Sequence, residues 1–187
     1  MDQKDLKNWG PLAALIGQWE GDKGDDIAPG DDRGTETNKF REVVTFEAVM
    51  PAQNHEQMLY GLRYHLKAWR IGEQDPFHEE TGFFSWEPDK KKLIRSTVIP
   101  RGMALLAGGA AEPDAKEFSL SAQQGSATFG IVSNPFLDRE FKTVAFDIKF
   151  TLHNDKEFSY EEDTQIQIKG KPDVFHHRDK NRMKKVG

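Results

Sequence analysis

The chain has 187 residues, a formal net charge of −5 and no cysteine. This length predicts one domain, spanning residues 1–187, that buries roughly two-thirds of its unfolded surface without covalent cross-links. The lack of cysteine excludes disulfides, thiolate metal sites and cysteine nucleophiles. The negative charge disfavours nucleic acid as a partner, because phosphate binding needs a concentrated positive surface.

The first residues and the hydropathy of the chain bear on its location. Residues Met1 to Asp5 contain no apolar run of the kind found in signal peptides. No segment approaches the roughly 18 apolar residues of a membrane-spanning helix. We therefore expect a soluble, unexported, cytoplasmic protein that has neither a membrane nor nucleic acid as its partner.

The first predicted element is a short helix around residues 11–16, because Pro11 suits the first helical turn and Gly17 can end the helix. Beyond it, alternation of apolar and polar residues predicts strands. The alternation is clearest in three segments, whose shared faces are Phe40, Glu42, Val44, Phe46 and Ala48, then Leu62, Tyr64, Leu66 and Ala68, and then Phe146, Ile148, Phe150 and Leu152. Further strands are predicted at residues 82–86, 92–99, 103–107, 117–121, 158–160, 165–169 and 173–177.

The connections between these strands indicate an antiparallel meander. Residues 87–90, 152–156 and 170–173 have the proline, asparagine and aspartate chemistry of hairpin turns. A meander removes its exposed edges most simply by closing on itself. We therefore predict a mainly β fold, a single antiparallel up-and-down β-barrel of about ten strands, similar to lipocalins and fatty-acid-binding proteins, with a short N-terminal helix.

Two segments are poor strand candidates, and the basic tail needs a separate interpretation. Residues 22–34 are rich in Asp and Gly but lack the ligand spacing of an EF-hand, so we predict a solvated loop and not a calcium site. Residues 123–135 are also predicted to be irregular. The basic tail, Arg178 to Lys185, is interpreted as a solvated strand end or a flexible terminus.

A barrel of this size has room for a small ligand, and its inward residues decide which one. The 13 Phe, 4 Trp and 3 Tyr residues can supply flat apolar walls for a planar or lipid-like guest, or a packed core. No Gly-x-Ser-x-Gly motif is present, so the sequence gives little support for a serine hydrolase. The pairs Glu79–Glu80 and Glu161–Glu162 point to opposite faces of a strand, and we interpret them as solvated charges.

Four of the six histidines are candidate ligands, because His65 and His153 fall on the polar faces of their strands. The remaining four are His55, His78, His176 and His177. A catalytic zinc site would need three protein ligands, and nothing in the sequence brings three of these histidines together. A cofactor with a single axial imidazole, such as heme, is the more economical interpretation.

The two adjacent histidines, His176 and His177, are alternative candidates for the ligand inside the barrel. If residues 173–177 form a strand, Phe175 and His177 share one face while Val174 and His176 share the other. Only one imidazole of the pair can therefore point into the barrel. Phe175 favours His177 as the inward residue, whereas Val174 leaves His176 as the fallback.

Four patches of the sequence resemble the nitrobindin family of heme-binding barrels. They are Gly17 to Gly21, with its Gly-x-Trp-x-Gly pattern; Pro76 to Phe83, which contains Phe77 and His78; Ile99 to Gly102; and Phe175 to Met183. They occur in the order of the family and span most of the chain. Two departures stand out: Phe77 replaces a methionine of the family, and charged or polar residues 178–181 replace largely apolar ones.

The resemblance implies a ferric heme b with one axial histidine. Carried over onto this sequence, the axial ligand is His177, Phe77 and His78 lie on the distal side, and Phe175 is a further cofactor contact. The implied chemistry is binding of nitric oxide and isomerisation of peroxynitrite to nitrate. Arg101, beside a predicted turn at the barrel mouth, is a candidate partner for a heme propionate on charge grounds.

Two other functions stay open at this stage. One is a non-catalytic carrier of a fatty acid or another small hydrophobic ligand, which needs aromatic walls but no histidine. The other is a barrel filled by its own side chains, with its function on the outer surface. The sequence leaves the oligomeric state open, with a homodimer as one alternative.

Overall fold

A computed structural model describes residues 5–187. The first four residues, on which the expectation of an unexported protein partly depends, lie outside this range. The strands are β1 (Gly17–Pro29), β2 (Thr35–Ala48), β3 (Ala52–Asn54), β4 (Gln57–Arg70), β5 (His78–Glu87), β6 (Lys92–Ile99), β7 (Met103–Ala110), β8 (Glu117–Gln123), β9 (Ile131–Ser133), β10 (Phe141–Asn154), β11 (Glu157–Ile168) and β12 (Phe175–Lys185). A 3₁₀ helix covers Asp5–Leu15, another covers Pro88–Lys90, and helix α1 covers Pro135–Glu140.

The long strands form a closed antiparallel barrel. Each pairs with its neighbour along the chain, β1 also pairs with β12, and β2 pairs with β4, so the sheet closes on itself. Ten strands make up the barrel of the described chain, while the short strands β3 and β9 lie beside it on β4 and β7. This confirms the predicted up-and-down β-barrel. Strand pairing within the barrel is least extensive between β7 and β8, which share one residue pair, Gly108 with Ser121.

The alternation that predicted the strands also sets the inside of the barrel. Phe46, Leu62, Phe84 and Phe150 are all less than 5% exposed and pack around one core. The backbones of β5 and β6 approach so closely that a Cβ on Gly82 would lie 1.9 Å from the carbonyl oxygen of Ser96. Glycine is therefore required at this point of the sheet.

The N-terminal 3₁₀ helix covers one end of the barrel. Its Leu12 and Leu15 are fully buried, and the indole N–H of Trp9 donates a 2.9 Å hydrogen bond to the carbonyl of Gly61. The predicted short helix is thus confirmed in position, although it begins earlier and is kinked at Gly10, where φ is 53°. No helix within residues 5–187 is long and apolar enough to span a membrane.

One expectation about an irregular segment, the predicted loop at residues 22–34, was wrong. The Asp- and Gly-rich segment is mostly strand, because β1 continues to Pro29 through an irregularity between Gly21 and Gly24 and stays paired with β2. Of the two alternatives for the basic tail, the structure has the solvated strand end: β12 extends to Lys185, pairs with both β1 and β11, and leaves its basic side chains exposed. Helix α1 was not predicted, although Asn134 caps it by accepting hydrogen bonds from the next backbone amides.

Candidate functional site

The barrel encloses a cavity of about 700 Å³ at the end opposite the 3₁₀ helix. We call this space the lumen. Eight phenylalanines and two tyrosines are among the residues that line it, so its walls suit a flat apolar ligand. The volume lies within the range of roughly 300–1,000 Å³ that is usual for small-molecule sites. The interpretation of a barrel filled by its own side chains is therefore wrong.

His177 is the inward histidine of the adjacent pair and lines the lumen near the start of β12. Its Nε2–H donates to Oδ1 of Asp26 at 3.1 Å and lies 3.2 Å from Oδ2 of Asp179. Burial lowers the pKa of His177, but the hydrogen bond with Asp26 and the charges of Asp179 and Asp26 outweigh burial. The net effect raises the pKa of His177 above its ordinary value.

His176 points the other way. Its side chain is 43% exposed, and its Nδ1 lies 2.7 Å from Oδ2 of Asp163 on the outer face of β11. Strand alternation therefore places the two imidazoles on opposite sides of the sheet, as expected. The outer pair of His176 with Asp163 contains the same residue types as the inner contact of His177 with Asp26.

His78 and Phe77 lie across the lumen from His177. Three barrel strands separate β5 from β12 on one side and five on the other, so the two histidines occupy nearly opposite walls. Nη2 of Arg101 donates to Nδ1 of His78 at 2.9 Å, and Nε2 of His78 lies 3.8 Å from Oε2 of Glu80. The ring of Phe77 packs edge-on against Phe40, 6.1 Å between centroids, at the open end.

A buried ionic cluster crosses the middle of the lumen. Arg95, on β6, forms an ion pair with Glu80 on β5 and contacts Glu162 on the facing β11 at 3.4 Å. Burial raises the pKa of Glu80, but the charge of Arg95, the hydrogen bond and charge of His78 and the hydrogen bond with Tyr64 together outweigh burial and lower this pKa to about 2. Arg95 also donates to the hydroxyl of Tyr64 at 3.4 Å, and that hydroxyl shares a 2.7 Å hydrogen bond with Thr97.

Two more carboxyl groups face the lumen with raised pKa values. Burial raises the pKa of Glu42 to about 8, although the hydroxyl of Tyr160 donates a hydrogen bond to it. Burial also raises the pKa of Asp179 to about 8, against the opposing charge of His177 and with support from Glu162. The lumen is therefore rich in acidic groups, and six acidic residues line it: Asp26, Asp31, Glu42, Glu80, Glu162 and Asp179.

The predicted site residues separate into two groups. His177, His78, Phe77 and Arg101 all line the lumen or its mouth. Phe175, the half-buried first residue of β12, is not among the residues that line it. His55 is exposed in the turn between β3 and β4, and His65 and His153 are exposed on the outer face, as alternation predicts for the last two.

The acidic residues of the lumen were missed. The interpretation of Glu80 and Glu162 as solvated charges was wrong, because each faces inward and contacts Arg95. The signal was present in the period-two pattern: Glu42 shares a face with Phe40 and Val44. The same rule places Asp179 on the face of His177.

Comparisons with known proteins agree with this architecture. A family model described as "THAP4-like, heme-binding beta-barrel domain" matches residues 8–185. Among solved structures, the crystal structure of Rv2717c from M. tuberculosis matches with a TM-score of 0.68 and 21% sequence identity, covering 94% of this chain and 95% of that chain. At this identity the likeness concerns the fold. No curated protein matched the chain.

Proposed function

Because the chain belongs to the THAP4-like, heme-binding β-barrel family, we propose that it binds heme b in the lumen, with His177 as the axial ligand of a ferric iron. The observation that carries this proposal is the inward imidazole of His177 in the wall of an aromatic cavity of about 700 Å³. A histidine that projects from the wall of a cavity with aromatic side chains is the arrangement that an axially ligated heme requires.

The residues around His177 fit such a ligand. If iron bound Nε2 of His177, this nitrogen would have to leave Asp26 and Asp179, which it now faces. If iron bound Nδ1 instead, the Nε2–H would keep Asp26 as its acceptor. A carboxylate in this role orients the ligating histidine and increases its basicity.

The far wall contributes the groups that would act on a bound small molecule. When bound, a ferric heme with one histidine ligand supplies an open coordination position able to bind nitric oxide or to isomerise peroxynitrite to nitrate. Because Nδ1 of His78 accepts from Arg101, its Nε2 carries the ring proton and can donate it in a hydrogen bond. Phe77 and Phe40 pack at the mouth and restrict the entry of water.

The charge of the lumen argues against the alternative of a fatty-acid carrier. Arg95, the arginine deepest in the cavity, is already engaged by Glu80 and Glu162. A fatty-acid carboxylate beside it would face these two groups and Glu42. A neutral or cationic apolar ligand suits this space better, and native mass spectrometry of freshly purified protein would detect a retained one.

Hemin titration of the purified chain tests the proposal. We expect a histidine-type Soret spectrum for the wild type, its loss in His177→Ala, and its retention in His176→Ala, the matched variant on the outer face. An unchanged spectrum in His177→Ala would reject the axial role. Stopped-flow measurement of peroxynitrite decay with the loaded protein then tests the reaction separately from heme binding.

A further inference from the structure

We propose that Asp26, His177 and Asp179 form a binding site for a divalent transition-metal cation, used when no heme occupies the lumen. One ligand atom from each residue lies within 4.8 Å of the others. Metal bonds of about 2.0–2.2 Å to nitrogen and oxygen place ligand atoms roughly 3–4.4 Å apart. Small side-chain adjustments therefore bring this set around one ion. The proposal goes beyond heme binding and does not depend on it.

The backbone holds the three residues in place. Asp26 and Asp179 are directly paired across β1 and β12, and His177 lies two residues before Asp179 on the same inward face. Asn38, the cross-strand partner of Asp26 on β2, donates to Oδ2 of Asp26 at 3.2 Å. This contact orients one carboxylate oxygen and leaves the other, Oδ1, toward His177. Such support is typical of the groups that surround metal ligands.

The carboxyl groups around the site favour the binding of a cation. Asp26 is 1% exposed, and burying a carboxylate is unfavourable unless a positive charge compensates it. His177 contacts both aspartates and can carry at most one positive charge, whereas a bound cation would hold both carboxyl groups in their deprotonated form. Glu162, paired with Asp179 across β11 and β12, adds a third carboxyl group, and its basic contact, Arg95, is shared with Glu80.

The ligand chemistry identifies the class of ion. One imidazole and two carboxylates favour borderline cations such as Zn²⁺, Co²⁺ or Fe²⁺. All three side chains line the lumen, so the remaining coordination positions of the ion would face the cavity, where water or a ligand can enter. Three protein ligands with an open position is the pattern of catalytic and not of structural metal sites.

The probe is Co²⁺, added to untagged, heme-free, chelator-treated full-length protein. Bound Co²⁺ is followed by its visible absorption, and Zn²⁺ is used to displace it. We expect one equivalent to bind, and the affinity to fall by about tenfold or more in Asp26→Asn, Asp179→Asn and His177→Ala. The outer-face variants His176→Ala and Asp163→Asn should bind as the wild type does. Circular dichroism of each variant checks that the barrel is intact.

Two results would overturn the proposal: no Co²⁺ binding by the wild type, or equal binding by the folded Asp26→Asn and Asp179→Asn variants. The outcome is separable from that of the heme proposal. Asp179→Asn should lose Co²⁺ and still give a Soret spectrum with hemin. If the protein binds Co²⁺ through the three residues but does not bind hemin, only the heme proposal is rejected. If it binds hemin but not Co²⁺, only the metal-site proposal is rejected.

Discussion

The guanidinium of Arg95 and the carboxylate of Glu80 form an ion pair inside the barrel, where their side chains are 4% and 7% exposed. Arg95 lies between the aromatic rings of Tyr64, Phe84 and Phe146, at 5.3–5.5 Å from each centroid. It also reaches Glu162 on the facing wall. Arg95 therefore connects two facing walls of the lumen, and its charge affects which ligands can bind beside it.

Arg95→Met should destabilise the protein strongly. The substitution leaves Glu80 buried without its cation, and breaking a buried pair in this way costs about 3–5 kcal/mol. The control is Arg63→Met, which removes an exposed pair with Glu47 and should change stability by about 1 kcal/mol or less. Urea unfolding followed by circular dichroism measures both, and similar losses in the two variants would contradict the role assigned to Arg95.

Glu42→Gln should change how stability depends on pH. The unfolded carboxyl titrates near 4.5 and the folded one near 8. Between these pH values the native state holds a proton that the unfolded state releases, so the free energy of unfolding falls as the pH rises. Glu42→Gln has no carboxyl group to titrate, so its free energy of unfolding lacks this fall with pH. The glutamine side chain can still accept the hydrogen bond that the hydroxyl of Tyr160 donates.

We expect the stability of Glu42→Gln, relative to wild type, to improve by on the order of 4 kcal/mol from pH 5 to pH 9. Urea midpoints at pH 5, 7 and 9 provide the measurement. Glu47→Gln, an exposed glutamate on the same strand β2, should show no such trend. A parallel pH dependence of Glu42→Gln and wild type would mean that Glu42 titrates normally in the folded protein.

Arg101→Ala should weaken hemin binding if Arg101 holds a propionate at the barrel mouth. Arg101 is exposed, lines the mouth and donates to His78. The loss of one charge-assisted contact at such a site should reduce affinity by about three- to tenfold, and by less at high salt. Absorbance titrations at two salt concentrations measure this. Arg63→Ala, on the outer face, is the control, and equal affinities of the two variants would exclude the propionate contact.

Much of the fold could be predicted because the period-two pattern is local. The buried strand faces that contain Phe46, Leu62 and Phe150 were predicted correctly, and so was the outward position of His65. The pattern failed in residues 22–29, where Asp and Gly replace the apolar residues of a strand. There, pairing with β2 and β12 compensates for weak local preference, which sequence propensities do not capture.

The site was predicted only in part. Residues 17–21 and 76–83 pointed to the family, and alternation made His177 and His176 alternatives. What the sequence did not reveal is that Asp26 lies beside His177, because 151 residues separate them along the chain. Contacts of this kind arise only when the first and last strands pair to close the barrel.

The sequence alone thus determined the class of fold, the absence of cysteine chemistry and the placement of the two histidines of β12 on opposite faces, since these depend on composition and on neighbours two residues apart. The tertiary structure decided the charge of the lumen. It brought Glu80 and Glu162 to Arg95, and Asp26 and Asp179 to His177. The energetic effect of a buried charge depends on the groups that contact it, and here those groups come from strands that are distant in sequence.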